Sequence, residues 1–162
     1  MSSRLLTALW LLVVFHAPVS AQVAVDSLVI RVEGQTPRVF RAAELRALPH
    51  DTLRSTMPHG EGFFRGARFM DVLRLAGIPM DSVRGPMLSD FVVVEAADGY
   101  RVVFGLSELA EDISGRHMLL ADEMDGHPLP SFNGPWQLIV PGDRRATRWI
   151  RQVISVTIRR AP

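Results

Sequence analysis

The chain has 162 residues, no cysteine and a formal net charge of +1, and all 18 of its basic residues are arginine. This composition excludes disulfides, thiolate nucleophiles and thiolate metal ligands, and it lacks the basic surplus with which nucleic-acid binders contact phosphates. The length suits one domain with a real hydrophobic core.

The N-terminus reads as a secretory signal peptide over residues 1–21. Arg4 supplies a positive charge, residues 5–15 form an almost unbroken apolar run, and Val19-Ser20-Ala21 puts small residues at the −3 and −1 positions of a cleavage site. The run is too short to span a bilayer. Cleavage after Ala21 leaves a single domain over residues 22–162. Its formal charge is zero, because Arg4 is lost and every acid is kept. The expected location is the periplasm or the extracellular space. The rival reading is an uncleaved N-terminal anchor.

Residues 27–33 alternate as a strand, with Leu28, Ile30 and Val32 on one face. Residues 41–48 predict a short helix ended by Pro49. Phe69, Val72, Leu73 and Ala76 have helical spacing, and Gly77 follows as a natural C′ residue. Residues 91–96 and 100–104 are β-rich runs around Ala97-Asp98-Gly99, a hairpin signal. Ser107 is expected to cap a short helix reaching Glu111. Residues 117–121 read as a strand, Asp125-Gly126 as a turn, and 136–140 and 153–158 as the last two strands. Short strands and helices without regular β-α alternation indicate an α+β fold of mixed sheets with short helices.

Three familiar chemistries are set aside. Gly60, Gly62 and Gly66 nearly match a dinucleotide fingerprint, but one residue too many separates the last two and no strand-then-helix context surrounds them. Residues 122–126 lack the alternating ligands of a calcium loop. His50, His59, His117 and His127 are not paired at helical spacing, and no Gly-x-Ser-x-Gly elbow is present, so no metal ligand or nucleophile is assigned.

Four further stretches occur in a fixed order. The first is Phe64-Arg65-Gly66-Ala67-Arg68-Phe69-Met70-Asp71-Val72-Leu73 with Ala76-Gly77; the second is Asp98-Gly99-Tyr100 with Phe104 and residues 106–109. The third is Asp125-Gly126-His127-Pro128-Leu129; the last is Gly134-Pro135, Leu138-Ile139-Val140-Pro141 and Arg148-Trp149-Ile150. Together, over residues 26–159, they resemble the molybdopterin-binding domain of sulfite oxidase-type oxidoreductases, especially its short exported members. The resemblance implies that family's α+β fold and makes molybdopterin a candidate cofactor. It departs at the chemistry. Catalytic members hold molybdenum with one cysteine thiolate, ahead of the aromatic-x-Gly element. Here that region reads Asp51-Thr52-Leu53-Arg54-Ser55-Thr56-Met57-Pro58-His59. A neutral hydroxyl from Ser55 or Thr56 is a poor substitute for a soft thiolate, so molybdenum is in doubt.

Arg144, Arg145, Arg148 and Arg151 fall within eight residues just past Pro141-Gly142. Guanidinium forks suit phosphate oxygens. The resemblance places Arg145 and Arg148 on the family's basic positions, as candidate holders of a pterin phosphate or other anion. The alternative is a solvated turn, and Arg144 and Arg151 are expected at the surface in either case. Phe64 and Trp136 are candidate pocket walls, Tyr100 a hydrogen-bond donor, and His59 a candidate from its place beside the missing cysteine. The leading expectation is an exported domain that binds a small anionic or pterin-like ligand without thiolate-ligated molybdenum catalysis. The alternatives are a molybdenum oxidoreductase with a non-cysteine metal ligand and a ligand-free sensory or accessory module for a membrane or exported partner protein.

Overall fold

The computed structural model describes residues 27–57 and 60–161; the expected signal peptide and His59 lie outside the described residues. In chain order the first elements are β1 (Ser27–Val32), β2 (Arg38–Arg41), α1 (Ala42–Arg46), β3 (His50–Met57), β4 (Gly60–Arg68) and α2 (Phe69–Leu75). Then come β5 (Asp90–Ala96), β6 (Arg101–Gly105), α3 (Leu106–Leu109), α4 (Glu111–Ser114), β7 (Leu119–Met124), β8 (His127–Pro128), β9 (Gln137–Ile139) and β10 (Val153–Arg160). One sheet has the order β2-β1-β10-β5-β6; the other runs β3-β4-β7-β8, with β9 also on β7. Only β1 and β10 pair in parallel among these strands. This is the expected α+β architecture.

Alternation builds the first sheet. Leu28 and Ile30 of β1, Val92 and Val94 of β5, and Val156 and Ile158 of β10 all turn inward and are buried. Asp98-Gly99 turns the β5–β6 hairpin, with Gly99 at φ 84°. In the same way Asp125 and Gly126 take φ 52° and 78° between β7 and β8, the left-handed values of a tight hairpin turn. Helix α2 buries Phe69, Met70, Val72 and Leu73, and each such side chain contributes roughly 1.5–3 kcal/mol.

The glycine-rich segment is a strand. A Cβ on Gly66 would lie 2.2 Å from the Leu120 carbonyl oxygen and 2.5 Å from the Ala121 Cα. The glycine therefore lets β4 approach β7, where the register shifts between Arg65 and Gly66. The helix expected to be capped by Ser107 is instead capped at Gly105, two residues earlier, and splits in two. Leu106 and Leu109 are buried at 1% and 3% exposure, so the packing of this apolar pair sets the helix start and draws Ser107 inside it. Strand β7 starts at Leu119 rather than at 117, because His117 is held by carboxylates outside the ladder.

Candidate functional site

The loop between β9 and β10 is pinned at several points. Leu138 N–H donates to the Ile150 carbonyl at 2.8 Å, and Trp149 Nε1 donates to the Val140 carbonyl at 2.7 Å. The Trp149 ring meets Phe64 edge to face, with centroids 5.6 Å apart. Farther along, Gln152 sits at φ 49°, a left-handed conformation that is costly for a residue with a side chain. Its N–H donates to the Asn133 carbonyl and its Nε2 to the Ser131 carbonyl, at 2.8 and 2.9 Å. These bonds hold the turn into β10 against the 131–133 segment.

Between this loop and the β5–β6 turn runs a groove of about 440 Å³. Its lining includes Asp98, Tyr100, Phe132, Thr147, Arg151 and Gln152. The Tyr100 hydroxyl donates to the Thr147 carbonyl at 2.7 Å, and Asp98 Oδ1 accepts the Tyr100 N–H at 2.9 Å. Phe132 is 63% exposed. Arg151 lines the groove and makes no ion pair among the described residues.

Arg148 is differently placed. Its Nε and Nη2 donate to the two oxygens of Asp143 at 2.7 and 2.6 Å, and its Nη1 donates to Glu108 at 2.8 Å. The guanidinium also lies over the Phe104 ring, 5.1 Å from its centroid. Arg116 completes the network through Glu108 at 2.8 Å and Asp143 at 3.5 Å. Arg148's hydrogen bonds hold the Asp143 carboxyl below the usual range, against the opposing effect of burial, and Asp143 in turn pushes the Arg148 guanidinium up. Two guanidiniums and two carboxylates cancel here, which leaves Arg148 without free charge for an anion.

A second network continues from it along the chain. Glu111 opens α4 three residues after Glu108 of α3, and His117 follows Arg116. His117 Nε2 is 2.9 Å from Asp51, and its Nδ1 is 3.2 Å from Glu111. Arg68 reaches the same two acids, at 3.1 and 3.7 Å. The Thr52 N–H is the foremost cause holding the Asp51 carboxyl below its usual range; burial opposes it, and His117 and Arg68 add to it.

The sequence-derived candidates therefore part company. Tyr100 lies in the groove, and Arg151, expected at the surface, joins it there. Arg145 is exposed with no side-chain partner among the described residues. Arg148 is neutralised by acids. Phe64 and Trp136 are each 1% exposed and belong to the core rather than to the groove. Phe132, Thr147 and Gln152 were missed. Their membership depends on a left-handed backbone at Gln152 and on contacts across the fold, for which the local sequence carries no signal.

The region where thiolate-bearing proteins hold molybdenum fares poorly as a metal site. Strand β3 is paired along its whole length with β4, from His50↔Ala67 to Met57↔Gly60. It offers hydroxyls, of which Ser55 is buried and engaged, and Asp51, which is committed to Arg68 and His117. Among the described residues, no group of three or more His, Asp or Glu side chains is arranged to hold a metal ion. Hard, committed oxygen donors do not fit a thiolate-type molybdenum centre. The groove brings together a guanidinium, a carboxylate and an exposed aromatic ring, from Arg151, Asp98 and Phe132.

Residues 58–162 match the family described as the oxidoreductase molybdopterin binding domain. Among solved structures, the sulfane dehydrogenase SoxCD from Paracoccus pantotrophus is similar, with a TM-score of 0.62 and 18% identity. That match covers 85% of this chain and 39% of the other, so the chain spans about two fifths of that enzyme chain. No curated protein matches it.

Proposed function

We propose, for a chain that belongs to the oxidoreductase molybdopterin-binding domain family, a binding role without thiolate-held molybdenum. In this reading it is an exported domain that takes a pterin-like or other small anionic molecule in the groove beside Tyr100. The observation that carries the reading is the contrast between two arginines of one loop. Arg148 is cancelled by Asp143 and Glu108, whereas Arg151 lines the groove with its charge unpaired.

The chemistry follows from the lining. Arg151 receives the phosphate or carboxylate group as a bidentate fork. Phe132 covers a face of the planar ring. Asp98, with one oxygen on the Tyr100 N–H, accepts a ring N–H with the other. Tyr100 takes a supporting role, because its hydroxyl proton is committed to Thr147. Molybdopterin would bring its own dithiolene; no residue of β3 adds a thiolate to it, and no redox step is assigned to this chain. Export rests on the apolar run at residues 5–15 and on Val19-Ser20-Ala21.

Metal analysis of the protein isolated from the exported fraction of its own host tests the role. Molybdenum far below one atom per chain is expected. One molybdenum per chain would overturn the reading in favour of an oxidoreductase with a non-cysteine metal ligand.

A further inference from the structure

The first sheet has two unequal faces. Its inner face is covered by the core. Register fixes what stands on the outer one. One row across the strands reads Val39, Val29, Ser155, Glu95 and Arg101. The next reads Arg31, Thr157, Val93 and Val103, and Arg159 stands beside Phe91. An antiparallel sheet with one solvated face ordinarily turns polar side chains outward. Here five outward positions are apolar: Val29, Val39, Phe91, Val93 and Val103. Val39 and Val103, on the two edge strands, are 59% and 58% exposed. The apolar residues thus stand in two groups, Val29 and Val39 on one side of β10 and Phe91, Val93 and Val103 on the other, with Ser155, Thr157 and Arg159 of β10 between them.

The charges on this face are lopsided. Within its strands stand four guanidiniums, Arg31, Arg41, Arg101 and Arg159, and one carboxylate, Glu95. That carboxylate is already taken: Arg101 donates to it at 2.8 Å and the Ser155 hydroxyl at 3.3 Å. Glu33, just past β1, holds the Arg160 N–H at 2.9 Å. Arg31 and Arg159 form no ion pair among the described residues, although Arg31 is near enough to help lower the Glu95 carboxyl. Apolar patches set beside unpaired charge can pack against a partner protein, and the sign of that charge selects the partner.

We propose that the outer face of this sheet docks an acidic face of a partner protein. The valines and Phe91 pack against its apolar side chains on either side of β10, and Arg31 and Arg159 meet its carboxylates. A second copy of the chain is disfavoured, because it would bring the same arginines face to face. The surface is independent of the groove. Val29 and Val39 lie across the sheet from the β5–β6 turn, so loss of ligand binding and loss of docking are separable.

The test uses the full chain in its own host, with a photo-crosslinking residue at Val103 or Val39 and a control at Phe63, which is 52% exposed on the other sheet. Both sheet positions are expected to yield one adduct that the control does not, joined through a peptide rich in Asp and Glu. Arg31→Glu with Arg159→Glu should cut its yield about tenfold without changing the melting temperature. Exchanging acids for Arg in the joined peptide should restore it. No adduct above the control would overturn the proposal. So would an adduct to a second copy, to lipid or to residues 1–26 of the same chain, or a yield indifferent to charge reversal.

Discussion

Asp143 and Arg148 grip each other fork to fork, at 2.7 Å through Nε and 2.6 Å through Nη2, with Glu108 on the third arm of the guanidinium. The pair closes the loop that walls the groove. It also removes Arg148 from the pool of free cations, which turns attention from Arg148 to Arg151.

Replacement of that acid should therefore be costly. The two side chains are 28% and 15% exposed, so solvent screens them only in part. Asp143→Asn keeps the shape but loses the charge, and is expected to destabilise the fold by about 1.5–3 kcal/mol, the range for hydrogen bonds to charged groups. Urea unfolding measures it. A change within about 0.5 kcal/mol, typical of a surface substitution, would show the pair to be solvated.

The same pair, with Asp51, sets the acid response. Both carboxyls are held below their usual range, Asp143 chiefly by Arg148 and Asp51 chiefly by the Thr52 N–H. Each therefore contributes stability that is fully present above the unfolded aspartate value, about 4, and is lost as pH falls through the lowered folded value. Melting temperature should drop as pH falls below about 4, and less steeply in Asp143→Asn and Asp51→Asn. Equal slopes in variants and parent would place the acid sensitivity elsewhere.

Gly66 supports a third expectation. Its missing Cβ would fall 2.2 Å from a backbone oxygen of β7, and backbone cannot swing aside as a side chain can. Gly66→Ala should cost about 3 kcal/mol or more through overpacking. Gly142→Ala meets open space at φ 84° and should cost about 1–2 kcal/mol, from backbone conformation alone. Denaturant midpoints compare them. Similar losses at both sites would mean that β4 and β7 are not packed this closely.

Much of the frame was legible in the sequence because it is local. Alternation around Leu28 and Ile30, the apolar spacing from Phe69, and the Asp98-Gly99 turn each carry their own signal within a few residues. Strands β2 and β3 were not readable. Phe40 is the one buried residue of β2, and β3 is largely polar, stabilised by its pairing with β4 rather than by its own pattern. At the site, the sequence singled out the arginine-rich loop and Tyr100. Which arginine is free depends on Asp143 five residues away and on Glu108 forty residues away, and such pairing has no mark in the local sequence. Phe64 and Trp136 look alike as pocket walls or core, and burial decided for the core.

The most direct measurement is the thermal melt of the full chain with a millimolar pterin phosphate, inorganic phosphate as reference, in the parent, Arg151→Ala and Arg148→Ala. A ligand at a hundredfold excess over Kd stabilises the fold by about 2.7 kcal/mol. The expected result is a clear rise with the pterin phosphate in the parent, its loss in Arg151→Ala, and its persistence in Arg148→Ala from a lower starting temperature. No rise in the parent, or equal rises in the parent and Arg151→Ala, would contradict binding in the groove.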